Sequence, residues 1–127
     1  MINEILRRDT LFASLIRNSN LTKVQMDTLL SYWNLKQNDR SLSEMIRIRD
    51  KVVTKGSFLH TLNQAKQNIR ASVYSILLLG YIGLLNKESI EGLVRVTALL
   101  NDFKKTGGNS KSEEIMFLIE GLCDKLI

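Results

Sequence analysis

The chain has 127 residues, 44% of them apolar, with a net charge of +5, seven glycines, no proline and one cysteine. That length suits one ordinary domain with a real core, and a lone cysteine, Cys123, excludes an internal disulfide and fits a reducing cytoplasm. The longest apolar run, residues 72–85, carries two glycines and stops short of the about 18 residues a membrane span needs. The opening "MINEILRRDTLF" lacks the charge-then-apolar order of a secretion signal. A cytoplasmic protein with no membrane segment is therefore expected.

Location matters more than size for the charge. Residues 40–70 hold Arg40, Arg47, Arg49, Lys51, Lys55, Lys66 and Arg70 against Glu44 and Asp50 alone. The stretches on either side nearly balance. A clustered excess of this kind is the footprint expected for a polyanion partner, and its bland counterpart is a merely soluble basic face.

Helical periodicity runs almost throughout, so the class expected is all-α with about six helices. Ile2, Ile5, Leu6, Phe12, Leu15 and Ile16 form the stripe of a first helix, which "NSN" at 18–20 ends. Thr22 and Gln25 have capping-box spacing and open a second helix, whose stripe is Met26, Leu29, Leu30 and Trp33. Ser41 and Glu44 repeat that spacing and predict a short third helix ending near Asp50. Val52 and Val53 suit a tight buried turn, and Thr54 can cap a fourth helix. That helix would bury Phe58, Leu62, Ala65 and Ile69. Its other side would show Lys55, Ser57, His60, Thr61, Gln64, Lys66, Gln67 and Asn68. From Val73 to Leu85 both faces are apolar, which predicts burial in the core or against a partner. Asn86 caps a fifth helix with Ile90, Leu93, Val94, Leu100 and Phe103. "KTGGNSKS" reads as a loop. A last helix, opened by Ser110 with Glu113, carries Ile115, Leu118, Ile119, Leu122 and Leu126. No period-two alternation is long enough to predict a strand.

The pieces "LTKVQMDTLL", "SLSEMI" and "VTKGSFLHTLNQAKQNI", within residues 21–69, resemble the helix-turn-helix of sigma factor region four and related small regulators. The shared pattern is a capped support helix, a short second helix, a turn, and a recognition helix with a small Ala65 near its middle. "SLSEMIRIRDKVV" departs from it, lacking the small residue and glycine usual at the turn. The resemblance implies one domain, 1–127, with a helix-turn-helix core at 21–71 and C-terminal helices at 72–127. It further implies that double-stranded DNA is the partner and that the fourth helix lies in the major groove. Lys55, Ser57, His60, Thr61, Asn63 and Gln64 would then face base edges, where Asn63 or Gln64 can pair with adenine and Lys55 with guanine. Arg47, Arg49, Lys51, Lys66 and Arg70 would hold phosphates. A winged-helix register competes, because "NIRASVYSILLLGYIGLLNKE" resembles the end of a winged recognition helix. Its groove face would be Ser72, Ser75, Leu78 and Leu79, and two leucines offer base edges no hydrogen bond.

Nothing points to catalysis, so an enzyme is not expected. His60 and Cys123 are too few for a metal site, and no cofactor motif is present. Ser57 and His60 stand at i, i+3 without a third orienting group. Cys123 reads as a buried structural thiol. Trp33 and Phe58, which could stack on single strands, read as core residues. The fourteen residues 72–85, with only serine and tyrosine as polar relief, are many for so small a domain to cover. A homodimer through 72–127 would cover them and space two recognition helices along a duplex. Two functions are thus in contention. One is a DNA-binding regulator or nucleoid-type protein. The other is a non-catalytic helical interaction subunit or adaptor of a replication, transcription or viral assembly.

Overall fold

A computed structural model describes residues 2–38, 46–48, 51–106 and 112–126. The fold is all-α, with six helices among the described residues: α1 (Ile2–Arg8), α2 (Thr10–Asn18), α3 (Lys23–Gln37), α4 (Lys55–Tyr81), α5 (Lys87–Thr106) and α6 (Ser112–Lys125). Between α3 and α4 lies a small ribbon of two antiparallel strands, β1 (Ile46–Ile48) and β2 (Lys51–Val53). The chain divides into two compact units, residues 1–72 and 73–127, and α4 begins in the first and ends in the second.

The ribbon corrects the expected third helix, because Ile46–Ile48 is extended and not helical. Its register pairs Ile46 with Val53, Arg47 with Val52 and Ile48 with Lys51. Ile46, Ile48, Val52 and Val53 are β-branched, a residue type that packs well on a pleated surface and loses rotamer freedom in a helix. The proposed cap of Ser41 with Glu44 lies outside the described residues, as do Arg40, Arg49 and the cap at Ser110.

The expected first helix is two. Asp9 takes an extended conformation, and its carboxylate accepts from the Phe12 N–H at 2.9 Å. Aspartate competes for backbone donors in this way, so it ends one helix and caps the next. The Thr22–Gln25 capping box forms as expected, with Gln25 N donating to Thr22 Oγ1 (3.1 Å) and Thr22 N to Gln25 Oε1 (3.2 Å). Thr54 and Asn86 also cap as expected, accepting from the N–H groups of Ser57 (3.1 Å) and Ser89 (2.8 Å).

In the first unit, α1 packs on α2 and α3, and α3 packs on β1. Phe58 and Leu62 form the core of a cluster joined by Leu29, Tyr32 and Leu35 from α3, Val53 from β2 and Leu59. Ala65 is buried as expected, whereas Ile69 is exposed. Trp33 is 60% exposed and leaves the core to Phe58, which is 1% exposed. Asp27 and Thr28, off the expected stripe, are buried as well, and the Thr28 hydroxyl donates to Val24 O at 2.8 Å.

In the second unit, α5 packs on α6. They come close at Gly92, where an added Cβ would stand 2.9 Å from Leu122 Cδ1. Ile115 and Leu85 are buried, but Leu118, Ile90 and Val94 are exposed. Cys123 is also exposed, which corrects its reading as a buried thiol. Between residues 73 and 84 most of the large apolar side chains stand exposed. Val73, Tyr74, Leu77, Leu78, Tyr81 and Ile82 are all exposed.

α4 ends in a Schellman motif, with Leu84 N donating to Leu79 O (3.0 Å) and Gly83 N to Gly80 O (3.2 Å). Gly83 has φ +83°, the left-handed region that disfavours a Cβ. Gly83→Ala should therefore lower stability by about 1 kcal/mol, as strain outweighs the entropy gained in the unfolded chain. Chemical denaturation read by circular dichroism checks this. An unchanged or raised midpoint would contradict it.

Candidate nucleic-acid interface

α4 is held against α3 at two places. The apolar cluster around Phe58 and Leu62 secures its first half. Two turns further on, the Asn68 side-chain amide donates to Asn20 O (3.1 Å) and to Gln25 Oε1 (3.0 Å). Asn20 in turn donates to Ser72 Oγ at 3.0 Å. Gln25 thus serves both the cap of α3 and the clamp on α4. A helix fixed at both ends of one face offers the opposite face in a defined orientation.

That opposite face is polar. Successive residues advance about 100° around a helix. With Phe58, Leu62 and Ala65 on the buried line, His60, Asn63, Gln64 and Gln67 stand across from it, and all four are exposed. Ser57 is exposed at one margin of this group and Arg70 at the other. Lys55 and Lys66 share one edge of the buried line, while Thr61, half-buried, lies on the other. The six expected base-contact residues therefore do not share one face. His60, Asn63 and Gln64 stand together, Ser57 is beside them, and Lys55 and Thr61 lie apart on opposite edges. Gln67 belongs at the centre, a position its spacing from Asn63 and Gln64 already implies.

Among the expected phosphate contacts, Lys66 and Arg70 are exposed on α4. Arg47 lies in β1 and Lys51 in β2, the ribbon that leads directly into α4. Lys66 Nζ stands 5.0 Å from the centre of the Tyr32 ring, and Lys36 Nζ stands 5.7 Å from the same centre. Two ammonium groups from two helices thus stand over one aromatic ring, an arrangement that cation–π attraction supports. No local sequence signal links Lys36 to Lys66, since the pairing is made by the packing of Tyr32.

The first turn of α4 has no acidic residue, and none occurs between residues 51 and 87. The positive end of the helix dipole adds to the charge there. The competing register fares worse on the same helix. The Ser72 hydroxyl already donates to Asn68 O (3.0 Å) and accepts from Asn20. The element after α4 is the helix α5, and the ribbon precedes α4.

No family model, curated protein or solved structure matches the chain. Among the described residues, no helix is long and apolar enough to cross a membrane.

Proposed function

We propose that the protein binds double-stranded DNA without catalysis, as a transcription regulator or nucleoid-type protein, with residues 55–70 of α4 as the element in the major groove. The observation that carries this reading is the exposed, acid-free face of His60, Asn63, Gln64 and Gln67, edged by Lys66 and Arg70. An α-helix about 10–12 Å across fits a groove about 12 Å wide. Amides on its outer face supply the donor–acceptor pairs that adenine accepts, and flanking cations meet phosphates. Helix α3, clamped to α4 at Asn68 and packed on it at Phe58, plays the supporting part.

Fluorescence anisotropy on a random-sequence duplex at about 50 mM salt tests the reading, since non-specific affinity is greatest at low salt. Binding is expected, and its absence refutes the proposal. On a duplex selected from a random pool, Gln64→Ala should weaken binding by about 1–3 kcal/mol and relax the preference at one base pair. Arg70→Ala should weaken all duplexes alike.

The exposed apolar side chains between residues 73 and 84 favour a second reading, a helical interaction subunit or adaptor whose basic face meets an acidic protein. A stoichiometric complex with such a protein, with no duplex bound at low salt, would support it.

A further inference from the structure

The second half of α4 carries an exposed apolar surface. Val73, Tyr74, Leu77, Leu78 and Tyr81 are 52–90% exposed. They fall at i, i+1, i+4, i+5 and i+8, an arc of about 140° on the helix. The arrangement is two parallel ridges with a spacing of four, 73–77–81 and 74–78. Ridges of that spacing on two helices interdigitate at a crossing angle of about −50°, the commonest packing in globular proteins. We propose that this stripe is the contact by which α4 pairs with α4 of a second copy of the chain. The inference goes beyond DNA binding and does not depend on it.

Three observations favour a second copy as the occupant. The first is area. With a large side chain worth roughly 150–250 Å², the exposed fractions of this stripe and Ile82 amount to on the order of 700 Å², close to the about 800 Å² per partner of a standard interface. The second is charge. No charged residue occurs from Ala71 to Asn86, so two identical surfaces meet without like-charge repulsion or a buried unpaired ion. The third is composition. Two tyrosines among aliphatic residues give large, stiff contact area with hydroxyls able to reach the rim. A membrane surface fits less well, because interfacial helices interleave cations with apolar residues. Here the stripe has no cation, and Glu88, Glu91, Glu113, Glu114 and Glu120 follow on α5 and α6.

The test is the mass in solution without nucleic acid. Sedimentation equilibrium over about 1–100 micromolar should show twice the 14.5 kDa chain mass, with dissociation on dilution. Leu77→Glu should give the single-chain mass with helical circular dichroism retained. Should that variant lose its fold, Leu77→Ala with Leu78→Ala keeps helix propensity and should raise the dimer dissociation constant at least tenfold. Residue 77 is the middle of the stripe and faces itself whether the helices run parallel or antiparallel. Leu77→Cys on a Cys123→Ser background should therefore form a disulfide-linked dimer on mild oxidation. A single-chain mass for the unmodified protein at every concentration overturns the proposal. A dimer that survives Leu77→Glu overturns it too, as does single-chain mass in solution with co-sedimentation on anionic vesicles. Duplex binding by a single-chain species would overturn the pairing and leave the DNA-binding proposal intact.

Discussion

Phe58→Ala should lower the unfolding free energy of the 1–72 unit by about 3–5 kcal/mol, which is most of the stability an ordinary domain of that size has. The ring is 1% exposed and lies where α3, β2 and α4 meet, with Leu62 beside it and Leu29, Tyr32, Leu35, Val53 and Leu59 around it. Removing it costs the transfer of the ring and leaves a cavity whose walls come from three elements. Two of those elements are fixed elsewhere, α4 by the Asn68 clamp and α3 by its capping box. Collapse into the space is therefore limited, and the cost belongs in the upper part of the range for such truncations. At about 4–8 °C per kcal/mol, the thermal midpoint should fall by well over 10 °C. Trp33→Ala is the matched control. It is the larger ring, placed on an apolar stripe by the same spacing rule, yet it is mostly exposed, and its loss should cost about 1 kcal/mol or less. Urea unfolding of both variants decides between them. If Trp33→Ala proved the costlier, the packing of α3 on α4 would be other than described.

The contrast between those two rings shows how far the fold was legible in the sequence. In the first half of α4, Phe58, Leu59, Leu62, Ala65 and Ile69 stand among polar residues, so their spacing names one buried line, although Ile69 at its end is exposed. In α3, Val24, Met26, Leu29, Leu30, Tyr32, Trp33 and Leu35 occur all round the helix, and periodicity cannot choose a face. The structure chooses Leu29, Tyr32 and Leu35, and buries Asp27 and Thr28. Caps at Thr22, Thr54 and Asn86 were legible because a cap is a local hydrogen bond between residues two or three apart. The ribbon was not. Three-residue strands are too short for an alternating pattern, and their pairing rests on residues three to seven positions apart. The basic, amide-bearing face of α4 could be read from composition alone. The placement of Lys55 and Thr61 on opposite edges needed the buried line as reference, and the meeting of Lys36 with Lys66 needed the fold. The exposure of most of the apolar side chains between 73 and 84 leaves only the second of the two expected placements, against a partner. The run has the composition of a core, and composition does not say whose core it joins.

Raising salt from about 50 to 200 mM should weaken duplex binding by roughly 250- to 1,000-fold, a slope of log K against log salt of roughly −4 to −5. The figure follows from counting cations. Arg47, Arg49, Lys51, Lys66 and Arg70 are five expected phosphate contacts, each releasing about 0.9 of a condensed counterion from B-DNA. Neutralising one of the five, as Lys66→Ala, should make the slope shallower by roughly 1, equally on every sequence. Gln64→Ala should leave the slope unchanged, because an amide meeting a base edge displaces no counterion. The measurement also separates the two functional readings. An acidic protein surface carries no condensed counterion layer as dense as one charge per about 1.7 Å, so a contact with it is only screened, and its affinity falls far less steeply over the same range. A slope near −1 with the duplex, beside tight binding to an acidic protein, would move the basic face of α4 from the groove of DNA to the surface of a partner.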